Sequence, residues 1–73
     1  MKKRSVTIAR HATSITLEAE FWDVLKTIAE KRELSLNALI AEVDEARAIK
    51  SPESNLSSSI RVYVLKELLK DPL

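Results

Sequence analysis

The sequence predicts a mainly α protein, one short N-terminal strand followed by three helices, assembled as a dimer. Two observations carry this reading. The alternating run Ala12-Thr13-Ser14-Ile15-Thr16-Leu17 passes directly into a helical pattern near Glu18. The rest of the chain offers no convincing second strand, and a lone strand leaves its backbone N–H and C=O groups unbonded. A second copy of the chain is the economical partner. Size points the same way: a domain of this length buries only roughly 60% of its unfolded surface. With no cysteine there is no disulfide or thiolate metal site to help, so oligomerisation is the remaining staple.

Each element has its own signal. Residues 1–9 read as a basic N-terminal arm and residues 11–17 as the strand. From 18 to 32 the period becomes helical: Phe21, Leu25, Ile28 and Ala29 share a stripe, with charges opposite. Acids at Glu18 and Glu20 and bases at Lys31 and Arg32 suit the helix dipole. Ser35 is a good N-cap for a second helix over 36–48, whose stripe is Leu36, Leu39, Ile40 and Val43. Residues 49–55 are polar, contain Pro52 and read as a linker. A third helix spans 57–70, capped by Asn55 or Ser57, with Ile60, Val64, Leu65, Leu68 and Leu69 as its buried face. Asp71-Pro72 stops it. The chain has no glycine, so the turns must manage with Glu33, Asn55 or looser geometry.

Composition excludes more chemistry than it offers. His11 is the only histidine, and the serine run Ser57-Ser58-Ser59 sits where capping residues belong. Glu42, Asp44 and Glu45 flank an apolar stripe as a solvated face. No metal-ligand spacing and no phosphate-cradling glycine loop is present, so neither an enzyme, a metal nor a cofactor is expected. No apolar run reaches the length of a membrane span, and the basic start lacks the apolar stretch of a secretory signal. The default is a cytoplasmic, bacterial protein.

Charge is distributed unevenly. Lys2, Lys3, Arg4 and Arg10 give residues 1–17 a local +4, while eight bases against eleven acids leave residues 18–73 at −3. A basic end on an acidic body can orient a protein on a polyanion. In the strand, Thr13, Ile15 and Leu17 face the helices, so Ala12, Ser14 and Thr16 face away. Two antiparallel copies make a ribbon that fits the DNA major groove, with hydroxyls on base edges and methyls on thymine. The start of the second helix, Ser35-Leu36-Asn37, presents free N–H groups to a phosphate.

These residues resemble a known family. Ser14-Ile15-Thr16-Leu17 entering one helix and Leu34-Ser35-Leu36-Asn37-Ala38-Leu39-Ile40 opening the next are similar to ribbon-helix-helix DNA-binding proteins, relatives of the Arc and methionine repressors. The match covers residues 10–48, and Asn55 to Arg61 leads into an added C-terminal helix. The resemblance implies an intertwined homodimer and double-stranded DNA as partner. It implies base contacts from Ser14, Thr16 and Ala12 and phosphate contacts from Ser35 and Asn37; Arg10 reaches toward the bases from the edge, and the basic flank of Lys2, Lys3 and Arg4 and the helix start at Leu36 add phosphate contacts. It further implies a dimer core of Ile15, Leu17, Phe21, Leu25, Ile28, Leu39, Ile40 and Val43. Glu18 stands where the family often has proline, and Glu33-Leu34 where it has glycine. Ser57-Ser58-Ser59-Ile60-Arg61 also resembles the family's second-helix opening, which would make residues 34–54 an insertion.

Trp22 diverges by about 100° from Phe21 and is expected at the dimer seam or against the third helix. The leading expectation is a transcriptional repressor. The alternatives are a protein-interaction scaffold docking through the acidic second helix or Trp22, and the antitoxin of a toxin–antitoxin pair.

Overall fold

In a computed structural model, residues 1–70 are described; the expected stop at Asp71-Pro72 lies outside them. The element order is β1 (Lys2–Ile8), β2 (His11–Leu17), α1 (Ala19–Lys31), α2 (Leu36–Lys50) and α3 (Leu56–Lys70). Residues 1–9 are not a free arm, because β1 pairs with β2 as an antiparallel hairpin within one chain, from Lys2↔Leu17 to Ile8↔His11. β2 therefore does not need a second chain to find a first partner.

The pattern hid β1 for a physical reason. Directly opposed residues in an antiparallel pair share a face, so Lys2, Arg4, Val6 and Ile8 lie on the helix side with Leu17, Ile15, Thr13 and His11. Two of those four inward positions of β1 are long cations. Both are exposed, and the Arg4 guanidinium sits 5.6 Å from the centre of the Trp22 ring, a placement that lets a long cation occupy an inward position. The turn was equally silent. Ala9 (φ 50°) and Arg10 (φ 69°) are both left-handed, the type I′ geometry that Asn-Gly usually signals.

Trp22 is buried at the centre of the fold, and its indole N–H donates to the Lys2 carbonyl at 3.0 Å. Phe21 is only half-buried, at the edge of the core. The two aromatics thus exchange the places that the stripe assigned them, since β1 covers the Trp22 side of α1. The rest of the core comprises Val6, Ile15 and Leu17 of the sheet, Leu25, Ile28 and Ala29 of α1, Leu39, Ile40 and Val43 of α2, and Ile60 and Val64 of α3. Burial of these residues is complete inside one chain. Leu65 and Leu69, expected in the buried face of α3, are 56% and 76% exposed, and Leu68 is half-buried.

The helix ends follow from specific groups. α1 closes in a Schellman motif: Leu34 N–H donates to Ala29 C=O at 2.8 Å, and Glu33 N–H to Glu30 C=O at 3.1 Å. Glu33 holds the left-handed position (φ 57°) that glycine would fill without a Cβ penalty. Ser35 Oγ accepts from Ala38 N–H at 3.0 Å to cap α2, and Asn55 Oδ1 accepts from Ser58 N–H at 2.7 Å to cap α3. α2 runs on to Lys50, so the linker begins two residues later than its composition suggests. Arg47 fastens that linker, donating to Asp44 at 2.8 Å and to the Ser54 carbonyl at 2.9 Å.

Candidate nucleic-acid interface

The face of the hairpin turned away from the helices is made of Lys3, Ser5 and Thr7 on β1 and Thr16, Ser14 and Ala12 on β2, in cross-strand pairs. All six are exposed. The face carries four hydroxyls and a methyl around a single cation, with no carboxylate. Ser14 opposes Ser5, Thr16 opposes Lys3, and Ala12 opposes Thr7. Ser5 and Thr7 escaped the sequence reading, although Val6 and Ile8 alternate with them as Ile15 and Leu17 do with Ser14 and Thr16. The signal was two apolar residues long.

The basic residues are divided between faces. Lys3 shares the hydroxyl face. Lys2 and Arg4 lie on the opposite one, lining a small recess with Trp22, Asp23 and Lys26. Arg10 is exposed at the hairpin tip.

The N-terminus of α2 lies beside the outer edge of β1. Asn37 Nδ2 donates to the Thr7 carbonyl at 3.1 Å, and Thr7 N–H donates to Asn37 Oδ1 at 3.3 Å. One amide side chain thereby completes both backbone groups of an edge residue, as a third strand would. The Ser35-Leu36-Asn37 segment is brought next to the hydroxyl face. The Ser35 hydroxyl and the Asn37 amide are both engaged inside the fold. The backbone N–H groups of Leu36 and Asn37 are what this helix start offers an anion.

Glu18 caps the start of α1 with its backbone carbonyl, accepting from Phe21 and Trp22 N–H. Its carboxylate pairs with Arg61 at 3.1 and 3.4 Å, so the negative charge near the hairpin is matched by a cation from α3. A backbone hydrogen bond at Glu18, and then Arg61, hold its carboxyl below the ordinary value. On the far side of the fold, Arg32 donates to Glu42 at 3.0 Å and to the Tyr63 hydroxyl at 3.2 Å, joining the end of α1 to α2 and α3. Burial pushes the Tyr63 phenol above its ordinary value, against the pull of Arg32.

The described residues contain no cluster of three or more metal-capable side chains, and no helix long and apolar enough to cross a membrane. A strand hairpin with a polar outer face, followed by helices whose starts are brought to it, defines a ribbon-and-helix architecture. The chain belongs to the ribbon-helix-helix domain family, whose model matches residues 1–68, the hairpin, α1, α2 and α3 as far as Leu68. Members of the family are in general DNA-binding transcription regulators or antitoxins, typically dimeric and without enzymatic activity. No curated protein and no solved structure matches the chain.

Proposed function

We propose that this chain is a homodimeric, sequence-specific DNA-binding protein, a bacterial cytoplasmic transcription repressor that lays the hydroxyl face of its hairpin against the major groove. The observation that carries the reading is that face itself: Lys3, Ser5, Thr7, Ala12, Ser14 and Thr16 are all exposed, acid-free and flanked by a helix N-terminus. Hydroxyls can donate to or accept from any base edge, and the methyls of Ala12 and Thr16 suit thymine. Ser14, Thr16 and Ala12 read bases, with Arg10 reaching in from the tip. Lys3 and the N–H groups of Leu36 and Asn37, beside the Ser35 cap, hold phosphates and set the register. Lys2 and Arg4, on the other face, add to the positive field.

The test is binding to randomised duplexes over a range of salt, with recovery of the bound sequences. The logarithm of affinity should fall with the logarithm of salt by about 0.9 for each phosphate held. Thr16→Ala should relax sequence preference, and Lys3→Ala should weaken all duplexes alike. A protein that leaves every duplex unbound at low salt would end this reading.

A further inference from the structure

α2 and α3 run back along each other from the linker. Arg47 reaches the Ser54 carbonyl at the linker end, and Arg32 meets both Glu42 and Tyr63 farther along. Between the two helices and the linker lies an open cleft of about 370 Å³, within the range of small-molecule sites. One face of α2 lines it with Val43, Ala46, Arg47 and Lys50, spaced by three and four residues as one side of a helix requires. At ~1.5 Å per residue that stretch is roughly 10 Å long.

The cleft carries a charge opposite to its surroundings. Residues 18–73 sum to −3, yet the cleft is bordered by Arg47, Lys50 and Lys66 and by no carboxylate. The acids of the two helices are committed elsewhere, Glu42 to Arg32 and Glu67 to Lys70, while Asp44 offsets Arg47. Glu45 and Glu53 do not line it. Lys50 and Lys66 are exposed and, among the described residues, have neither an ion pair nor a hydrogen bond.

The serines at the start of α3 acquire a use here. Asn55 caps that helix on Ser58 N–H, so the Ser58 hydroxyl is not needed for capping. Ser54 donates to the Ser51 carbonyl at 2.9 Å and shares a hydrogen bond with Ser59 at 3.1 Å, which holds the linker wall against the helix. The hydroxyls of Ser51 and Ser58 are left as donors at the end of the cleft where Lys50 stands. The first turn of α3 adds the positive end of its dipole there. Beyond this end the surface is apolar, made by Val43, Ala46, Val62 and the Tyr63 ring, whose hydroxyl is engaged by Arg32.

We propose that this cleft binds a small organic anion. Its carboxylate or phosphate headgroup lies at the linker end against Lys50, Ser51 and Ser58, and its flat apolar body lies between Val43 and Ala46 of α2 and Val62 and Tyr63 of α3. Lys66 adds positive charge at the far end. Charge complementarity selects an anion over a neutral or cationic ligand. The volume selects a small molecule over a helix, which is about 10–12 Å across with its side chains. The site is built by α2, the linker and α3, and it is independent of whether the hairpin engages DNA.

NMR titration of the full chain, free of DNA, tests this with naphthoate and naphthyl phosphate as probes. Each should bind in about the millimolar range or tighter and move the amides of Ala46, Lys50, Ser58, Ser59 and Tyr63. The tighter of the two names the headgroup. The neutral analogue naphthalenemethanol should bind about tenfold more weakly, and combining Lys50→Gln with Lys66→Gln should lower naphthoate affinity by about the same factor. Both lysines are exposed, so the double variant should keep the native circular dichroism. Ala46→Phe fills the cleft, spares every cation and should abolish the shifts, which separates a cleft from attraction to a basic surface. Inorganic phosphate, lacking the apolar body, should bind more weakly than naphthyl phosphate. The proposal is overturned if neither probe moves these amides, or if the shifts fall on Leu65 and Leu69 instead. It is overturned equally if Ala46→Phe or the double glutamine variant binds naphthoate as the native chain does. Duplex binding by the same preparations judges the proposed function separately.

Discussion

The hairpin tip gives the sharpest test of the fold. Ala9 and Arg10 hold φ of 50° and 69°, and an L-residue in the left-handed region costs about 1–2 kcal/mol. Arg10→Gly removes that cost, while the extra freedom of glycine in the unfolded chain returns about 0.5–1 kcal/mol. The net is a stabilisation of about 0.5–1 kcal/mol. Adding Ala9→Asn, which tolerates the same region and completes the Asn-Gly pair, should bring the total to about 1–1.5 kcal/mol. For a chain this short each kcal/mol moves the melting temperature by about 4–8 °C. The assay is urea unfolding followed by circular dichroism at one fixed protein concentration, since association is linked to folding. The midpoint should rise with the slope unchanged. The same variant should bind DNA more weakly, because it removes the cation at the tip. An unchanged or lowered midpoint would mean that residues 2–8 are not held in the hairpin, and would return them to a free basic arm.

Three further outcomes follow from other positions. Glu33→Gly should stabilise the fold by about 0.5–1 kcal/mol in the same unfolding assay, since Glu33 occupies the left-handed position of the Schellman motif. Glu18 has a lowered folded pKa, so its contribution to stability is complete above the ordinary carboxylate value and disappears as pH falls through the folded value. Arg61→Ala should therefore flatten the acid limb of a melting-temperature profile, and an unaltered limb would refute the pairing. Tyr63 is the only tyrosine, so absorbance at alkaline pH reports it alone. It should ionise above the ordinary phenol value and, in Arg32→Ala, higher still, because the cation that favours the phenolate is gone.

The helices were legible because their stripes are long. Leu25, Ile28, Leu39, Ile40 and Val43 stand on 3.6-residue periods, and the capping role of Ser35 needs only local chemistry. β1 was not legible, since Lys2 and Arg4 fill inward positions, Arg4 with its guanidinium over Trp22, and alternation counts them as solvent-facing. The exchange of Phe21 and Trp22 follows from the same omission: without β1 nothing covers the Trp22 side of α1. For the candidate site, Ala12, Ser14 and Thr16 could be placed on one face from the strand alone. Ser5 and Thr7 required the pairing. The engagement of Asn37 by Thr7 joins residues thirty apart, and no local pattern encodes it.

The indole of Trp22 is the chain's only one, and its N–H is tied to the carbonyl at the very start of β1. The protein thereby carries its own optical gauge of whether the first strand is seated. Release of β1 would strip the ring of its hydrogen bond, of the Arg4 guanidinium and of its cover, and would shift its emission to longer wavelength. Folding, docking of a second chain and engagement of a duplex could then each be followed in the unlabelled molecule, by light from one side chain.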